Sequence, residues 1–225
     1  MSRIIIDIET IGANFDELEP KDQAYLLHFA ANEAEQEEIK QRLALHPLTG
    51  EIVAVGMLNP ETDQGRVYFQ APNQEFKPQT EQGIEYIAAG EKEILERFWQ
   101  DIIPYQQIIT FNGRGFDCPF LLLRSAILGV KTRRNLMPNR YYSNLHCDLL
   151  DQFTFYGALK KFKMDFYCCK FGIKSPKAEM DGLQVKPYFT AGKYLEIAKY
   201  CAGDLQATKK LWEIWQNYLD FNYGS

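Results

Sequence analysis

Residues 2–12 read SRIIIDIETIG: three consecutive isoleucines, a fourth at Ile8, and two carboxylates, Asp7 and Glu9, set among them. The β-branched run is that of a buried strand. Side chains on a strand alternate between faces, so Asp7 and Glu9 share one face about 6.6 Å apart. Such a pair has two readings: carboxylates leaning toward a common cation, or a strand end turning outward to solvent. What the rest of the chain brings to the same place decides between them.

Working outward, the segment from Asp22 to about Leu45 is polar and acidic, with apolar letters at Tyr25, Leu26, Phe29, Ile39 and Leu43. It reads as a helical insertion spanning about 11–46, beginning where the first strand ends at Ile11 and Gly12. HPLTGEIVAVGML (46–58) predicts a turn and a second strand over 52–58, and RVYFQ (66–70) a third, the two joined as an antiparallel hairpin. Residues 71–90, with two prolines and two glycines, read as loop. EKEILERFWQDII (91–103) carries Ile94, Leu95, Phe98, Trp99 and Ile102 at helical spacing. QIITFNG (107–113) is a fourth strand, PFLLLRSAILGV (119–130) a helix with proline near its first turn, and 144–147 a short strand or turn. Further helices are expected over 149–155, 159–171 and about 191–219. This order predicts an α/β fold, a mixed sheet flanked by helices.

At 225 residues and 46% hydrophobic letters the chain suits one core, and a single domain over 1–225 is expected. No apolar run approaches the roughly 20 residues of a membrane span, and a cytosolic protein is expected. Five scattered cysteines fit reduced thiols; a zinc site from His146, Cys147, Cys168 and Cys169 lacks the usual spacing. The net charge of −5 argues against gripping nucleic acid by bulk electrostatics. Three basic clusters, Lys131-Arg133-Arg134, Lys160-Lys161-Lys163 and Lys170-Lys174-Lys177, read as solvated faces. There is no G-x-S-x-G, H-E-x-x-H or G-x-x-x-x-G-K-[ST].

Two further places offer carboxylates at element ends. Asp117, in TFNGRGFDCPFL (110–121), lies at the mouth of a helix, where it serves as an N-cap worth about 1 kcal/mol, as a metal ligand, or as both. Asn112, Gly113 and Gly115 allow a tight backbone path there, and Phe116 is an aromatic at the same mouth. In KYCAGDLQATKKLW (199–212), Tyr200 and Asp204 stand at i and i+4, about 6 Å apart along one helical face.

DIET (7–10), FNGRGFD (111–117) and YCAGD (200–204), in that order, resemble the three motifs of the DEDD superfamily of 3′-to-5′ exonucleases, in the branch with tyrosine in the third motif. Most similar are stand-alone relatives of the proofreading domain of family B DNA polymerases; HPLTGEIVAVG and LHCDLLDQF also match in their places. The resemblance covers nearly the whole chain. It implies an RNase H-like fold with a mixed five-stranded sheet, and two-metal hydrolysis at the 3′ end of single-stranded DNA with release of nucleoside 5′-monophosphates. By the same pattern Asp7 bridges two ions, Mg2+ or Mn2+. Glu9 and Asp204 complete the first site, Asp117 holds the second partly through water, and Tyr200 orients the attacking water. Thr10, Asn112 and Phe116 fall on the substrate side, with Phe116 stacking on a terminal base.

The acidic, histidine-poor donor set independently suits hard divalent cations. The implied partners are single-stranded nucleic acid, DNA before RNA, and a separate polymerase or repair protein, since no polymerase-sized region follows Leu219. Two rivals stand beside this reading: an exoribonuclease on RNA 3′ ends, and a catalytically idle nucleic-acid-binding or partner-docking module on the same fold. The insertion at 11–46 is expected to act as a lid, limit substrate size or contact a partner.

Overall fold

A computed structural model describes residues 1–173 and 182–220. Its strands are β1 (Arg3–Gly12), β2 (Gly50–Leu58), β3 (Gly65–Phe69), β4 (Gln79–Glu81), β5 (Ile84–Ala88), β6 (Gln107–Thr110) and β7 (His146–Asp148). Its helices are α1 (Pro20–Leu27), α2 (Glu33–Gln41), α3 (Glu91–Asp101), α4 (Asp117–Ile127), α5 (Leu149–Phe153), α6 (Met164–Lys170), α7 (Val185–Thr190) and α8 (Tyr194–Tyr218). The strands form one mixed sheet in the order β4-β5-β3-β2-β1-β6-β7, with β1 antiparallel to β2 and parallel to β6.

The alternation of β1 sorts its side chains between two cores. Ile4, Ile6 and Ile8 pack with Ile94, Leu95, Phe98 and Trp99 of α3 and with Phe120 and Leu121 of α4. Ile5 packs on the other face with Ala198, Cys201, Leu205 and Leu211 of α8. Burying one such side chain contributes about 1.5–3 kcal/mol, so the isoleucines fix the strand firmly enough to carry two carboxylates on the face of Ile5.

Among the described residues the sheet has seven strands, not the five expected from sequence. The two extra strands, β4 and β5, lie in the stretch read as loop, joined by Gln82 (φ 51°) and Gly83 (φ 81°). Positive φ at both central residues is the type I′ hairpin turn, whose recognisable form is Asn-Gly or Asp-Gly; glutamine in the first place hid it. β1 also runs through Ile11 to Gly12, which pairs with Gly50. The segment that follows is closed at its base by the Ala13 amide donating to the Thr49 carbonyl (2.8 Å) and holds two short helices, α1 and α2. The helix expected over 159–171 begins only at Met164, and that over 191–219 begins at Tyr194, after a break at Gly192 (φ 73°) that separates α7.

α3 and α4 are tied by a largely buried ion pair. Glu91 accepts from Arg124 at 2.6 and 2.8 Å and from the Ile52 amide at 2.8 Å. The cluster at Lys131-Arg133-Arg134 is not simply solvated: the Arg134 guanidinium donates to the carbonyls of Tyr105, Gln106 and Leu145. Lys174 and Lys177 lie outside the described residues. All five cysteines are free and four are buried. Among the described residues no helix is long and apolar enough to cross a membrane.

Candidate active site

β1 turns Asp7 and Glu9 toward α8, and the two elements approach closely because Gly56 stands opposite Asp7 on β2. A Cβ at Gly56 would lie 2.7 Å from Cys201 Sγ and 2.8 Å from Leu205 Cδ1, so any side chain there would force α8 off the sheet. The approach brings Tyr200, Cys201 and Asp204 to the carboxylates of β1. Ligand atoms of Asp7, Glu9 and Cys201 lie within 4.8 Å of one another, and Tyr200 hydrogen-bonds Asp204 within α8.

Asp117 arrives by a route its local sequence does not show. The N-cap position of α4 belongs to Phe116, which makes no side-chain cap bond, and Asp117 is the helix's first residue. Its Oδ1 instead accepts the Ile8 amide at 3.0 Å. The cause lies in the sheet: β6 pairs β1 only at Arg3, Ile4 and Ile5. Farther along, the β1 edge presents an amide with no strand partner, and a buried amide needs an acceptor. Asp117 supplies it, which sets its carboxylate next to Asp7.

The electrostatics follow from this crowding. The Asp7 carboxyl is held well above the usual range, by burial first and then by Asp204, Asp117 and Glu9. Asp117 is pushed up to about 7, chiefly by burial, against the lowering effect of backbone amides that include Ile8's, with Asp148 and Asp204 adding to the rise. Burial, then Asp204, Glu9 and Asp7, hold the Tyr200 phenol far above its ordinary value, so it stays protonated. Asp7 is only half-buried as a residue, yet its Oδ2 is sealed from solvent and has no hydrogen bond among the described residues. An orphaned carboxyl oxygen on a group crowded by three other carboxylates fits a bound cation, and an oxygen donor set fits a hard divalent one.

The remaining candidates are placed less directly. Thr10 is buried, with Oγ1 donating to the Ala44 carbonyl at 2.7 Å, which holds the 3₁₀ turn Arg42–Leu45 against β1. Asn112 adopts φ 65°, and a Cβ at Gly115 would lie 2.7 Å from its Oδ1, so the loop is folded tightly on itself. Phe116 is half-buried against Phe120, with ring centroids 5.5 Å apart. His146, Cys147, Cys168 and Cys169 do not form a ligand grouping among the described residues. His146 instead bridges Thr110 Oγ1 (2.9 Å) and the Leu136 carbonyl (3.0 Å), and burial pushes its pKa down to about 3.

Two residues at the site went unassigned from sequence. Asp148 accepts the amides of Asn112 (2.9 Å) and Arg114 (2.9 Å) as well as that of Leu150 (3.0 Å), and so pins the loop between β6 and α4. Only its role as the N-cap of α5 has a local signal, an aspartate directly before the apolar run Leu149-Leu150. Cys201 lies in contact with Asp7 and donates to its carbonyl at 3.7 Å. Its signal is its spacing three residues before Asp204 on the same helix.

A family described as "Predicted 3'-5' exonuclease related to the exonuclease domain of PolB" matches residues 67–219. The chain belongs to this family. The matched span contains Asp117, Tyr200 and Asp204, and β1 with Asp7 and Glu9 precedes it. The chain is also 25% identical over 130 residues to DNA polymerase 1 of Sulfurisphaera ohwakuensis, an alignment covering 54% of this chain and 15% of the polymerase. The family B DNA polymerase from the hyperthermophilic archaeon Pyrobaculum calidifontis is similar in structure, with a TM-score of 0.60 and 16% identity over 95% of this chain and 24% of that one. The last match speaks for the fold, an RNase H-like α/β architecture. This chain thus spans a small part of the length of the polymerases it matches.

Proposed function

We propose that this family member is an active 3′-to-5′ exonuclease that removes nucleoside 5′-monophosphates from single-stranded DNA, with two divalent cations, Mg2+ or Mn2+, held by Asp7, Glu9, Asp117 and Asp204. The observation that carries the reading is the sealed Oδ2 of Asp7, without a hydrogen-bond partner among the described residues, inside a cluster of one sign. A cluster built only for stability would be balanced by a neighbouring cationic side chain, and the groups that act most strongly on Asp7 are three carboxylates.

Divalent cations bound there supply charge stabilisation at the attacking and leaving oxygens of in-line phosphodiester hydrolysis. The chain's own residues do the positioning. Asp7 and Glu9 ride on a strand fixed by its isoleucines. Asp117 is tied through one oxygen to the Ile8 amide and keeps the other for a ligand. Tyr200, a neutral phenol held beside Asp204, orients the attacking water by hydrogen bonding rather than by taking its proton. Phe116 at the mouth of α4 stacks on the terminal base, with Asn112 and Thr10 on the same side. DNA is favoured over RNA because the two similar proteins are DNA polymerases by name. Residues 1–225 act as one domain with an inserted segment after β1, working beside a separate polymerase or repair protein.

The test is an assay on 5′-labelled DNA and RNA oligonucleotides with wild type and Asp7→Ala. A metal-dependent ladder on DNA that disappears in the variant is expected. A ladder on RNA alone supports the exoribonuclease, no ladder with either metal supports the idle binding module, and a ladder surviving Asp7→Ala sinks the mechanism.

A further inference from the structure

Residues 155–173 form a surface that the chemistry above does not use. Phe162 and Phe166 are 41% and 46% exposed, and their rings stack on each other at 4.6 Å and 20°. Lys160 Nζ lies 5.5 Å from the Phe162 ring centre and Lys170 Nζ 5.4 Å from that of Phe166. The stretch carries four lysines against one acidic residue, Asp165, in a chain of net charge −5. A single exposed phenylalanine needs no explanation. Two exposed rings stacked in parallel, each with an ammonium group over it, form a platform that pairs apolar ring surface with cations matched to a phosphate backbone.

The platform connects to the carboxylates. Tyr167 packs edge-on against Phe162 at 6.4 Å and against Phe111 at 5.6 Å, and Phe111 begins the loop that ends at Asp117. Behind these rings α6 packs on α8, where the Cys168 thiol is pushed up to about 11, by burial first and also by Asp165 and Asp204. The inserted segment after β1 is, by contrast, unfavourable to a polyanion. Residues 13–49, which hold Thr10 through Ala44, carry eight acidic and three basic side chains, a surplus equal to the net charge of the whole chain.

We infer that the Phe162–Phe166 platform with Lys160 and Lys170 is a stacking track that carries the single strand upstream of the bond to be cut. Its direction rests on the exonuclease reading; its capacity to bind a strand does not. The track takes bases by their faces and phosphates by charge, so it grips without reading sequence.

Fluorescence anisotropy of a labelled 15-nucleotide oligodeoxythymidylate, with chelator present, tests the track apart from catalysis. Phe162→Ala/Phe166→Ala is expected to bind about tenfold more weakly or worse than wild type. Lys160→Gln/Lys170→Gln, exposed changes that leave the core intact, is expected to reduce the salt slope of log Kd by about 0.7 per lysine. With Mn2+, both variants should raise KM for the 15-mer at little change in kcat. Hydrolysis of the p-nitrophenyl ester of thymidine 5′-monophosphate, which has no upstream strand, should not change. Affinity and salt slope unchanged in both variants, or no binding by wild type, overturns the track. Loss of ester hydrolysis by wild type overturns the exonuclease reading instead and leaves the binding result standing.

Discussion

Glu91 and Asp7 are carboxylates packed beside the same sheet, Glu91 on the side of α3 and α4, Asp7 on the side of α8. Glu91 is balanced from within the chain by two contacts from Arg124 and the Ile52 amide. Asp7 faces Asp204, Asp117 and Glu9, and one of its oxygens has no partner among the described residues. Burying charge is costly wherever it is done, and a chain that only needs to fold balances it on the spot, as at Glu91. A one-signed cluster kept beside a tightly packed helix is, on the proposed function, charge whose balance comes from a bound cation. Stability and chemistry therefore separate across the sheet.

The separation can be broken from either side. Asp7→Ala should lower exonuclease activity by roughly a thousandfold or more, the scale of losing a catalytic group, while chelated protein melts no lower than wild type. Equal loss of activity and melting temperature would make Asp7 a structural residue. Arg124→Met should do the reverse. It strands Glu91 and costs about 3 kcal/mol in urea unfolding, the lower end for a buried pair because Arg124 keeps some exposure, with kcat unchanged at a temperature where the variant is folded. Saturating Mn2+ should stabilise the wild type by about 2.7 kcal/mol at a hundred times its Kd, and Asp7→Ala by much less. A chelator-insensitive melting temperature would mean that the cluster holds no ion.

The smallest effect is in pH. Asp7 and Asp117 titrate above their unfolded values, so between 3.8 and about 7 the folded chain holds more protons than the unfolded one. Metal-free stability should therefore fall as pH rises through that window. Asp117→Asn, which keeps an oxygen for the Ile8 amide, should flatten this fall without lowering the melting temperature at pH 5. A steeper fall in the variant would show that the Asp117 proton is not its source.

How far these features were legible depends on the distance over which each is decided. The alternation of Ile4 to Glu9 is a property of neighbouring residues, and it announced both the strand and the shared face of its carboxylates. The i, i+4 spacing of Tyr200 and Asp204 is equally local, and it survives as a hydrogen bond. The β4–β5 hairpin was missed because its turn uses Gln82 where asparagine would have announced it. Asp117 was legible as a carboxylate at a helix mouth, a cap, a metal ligand or both, but not as the partner of a strand amide. Its actual partner lies 109 residues away and exists only because β6 ends at Thr110.

The sequence by itself determined the two-faced central strand, the order of the main elements and the acidic residues a metal site would need, all of which follow from side-chain period and residue chemistry. The tertiary structure alone decided that these carboxylates meet. It did so through a short β6 that leaves the Ile8 amide for Asp117, a glycine at 56 that lets α8 close on β1, and an Asp148 that holds the loop between β6 and α4. Each of these is a contact between surfaces remote in the chain, and no local pattern encodes the shape of a distant partner.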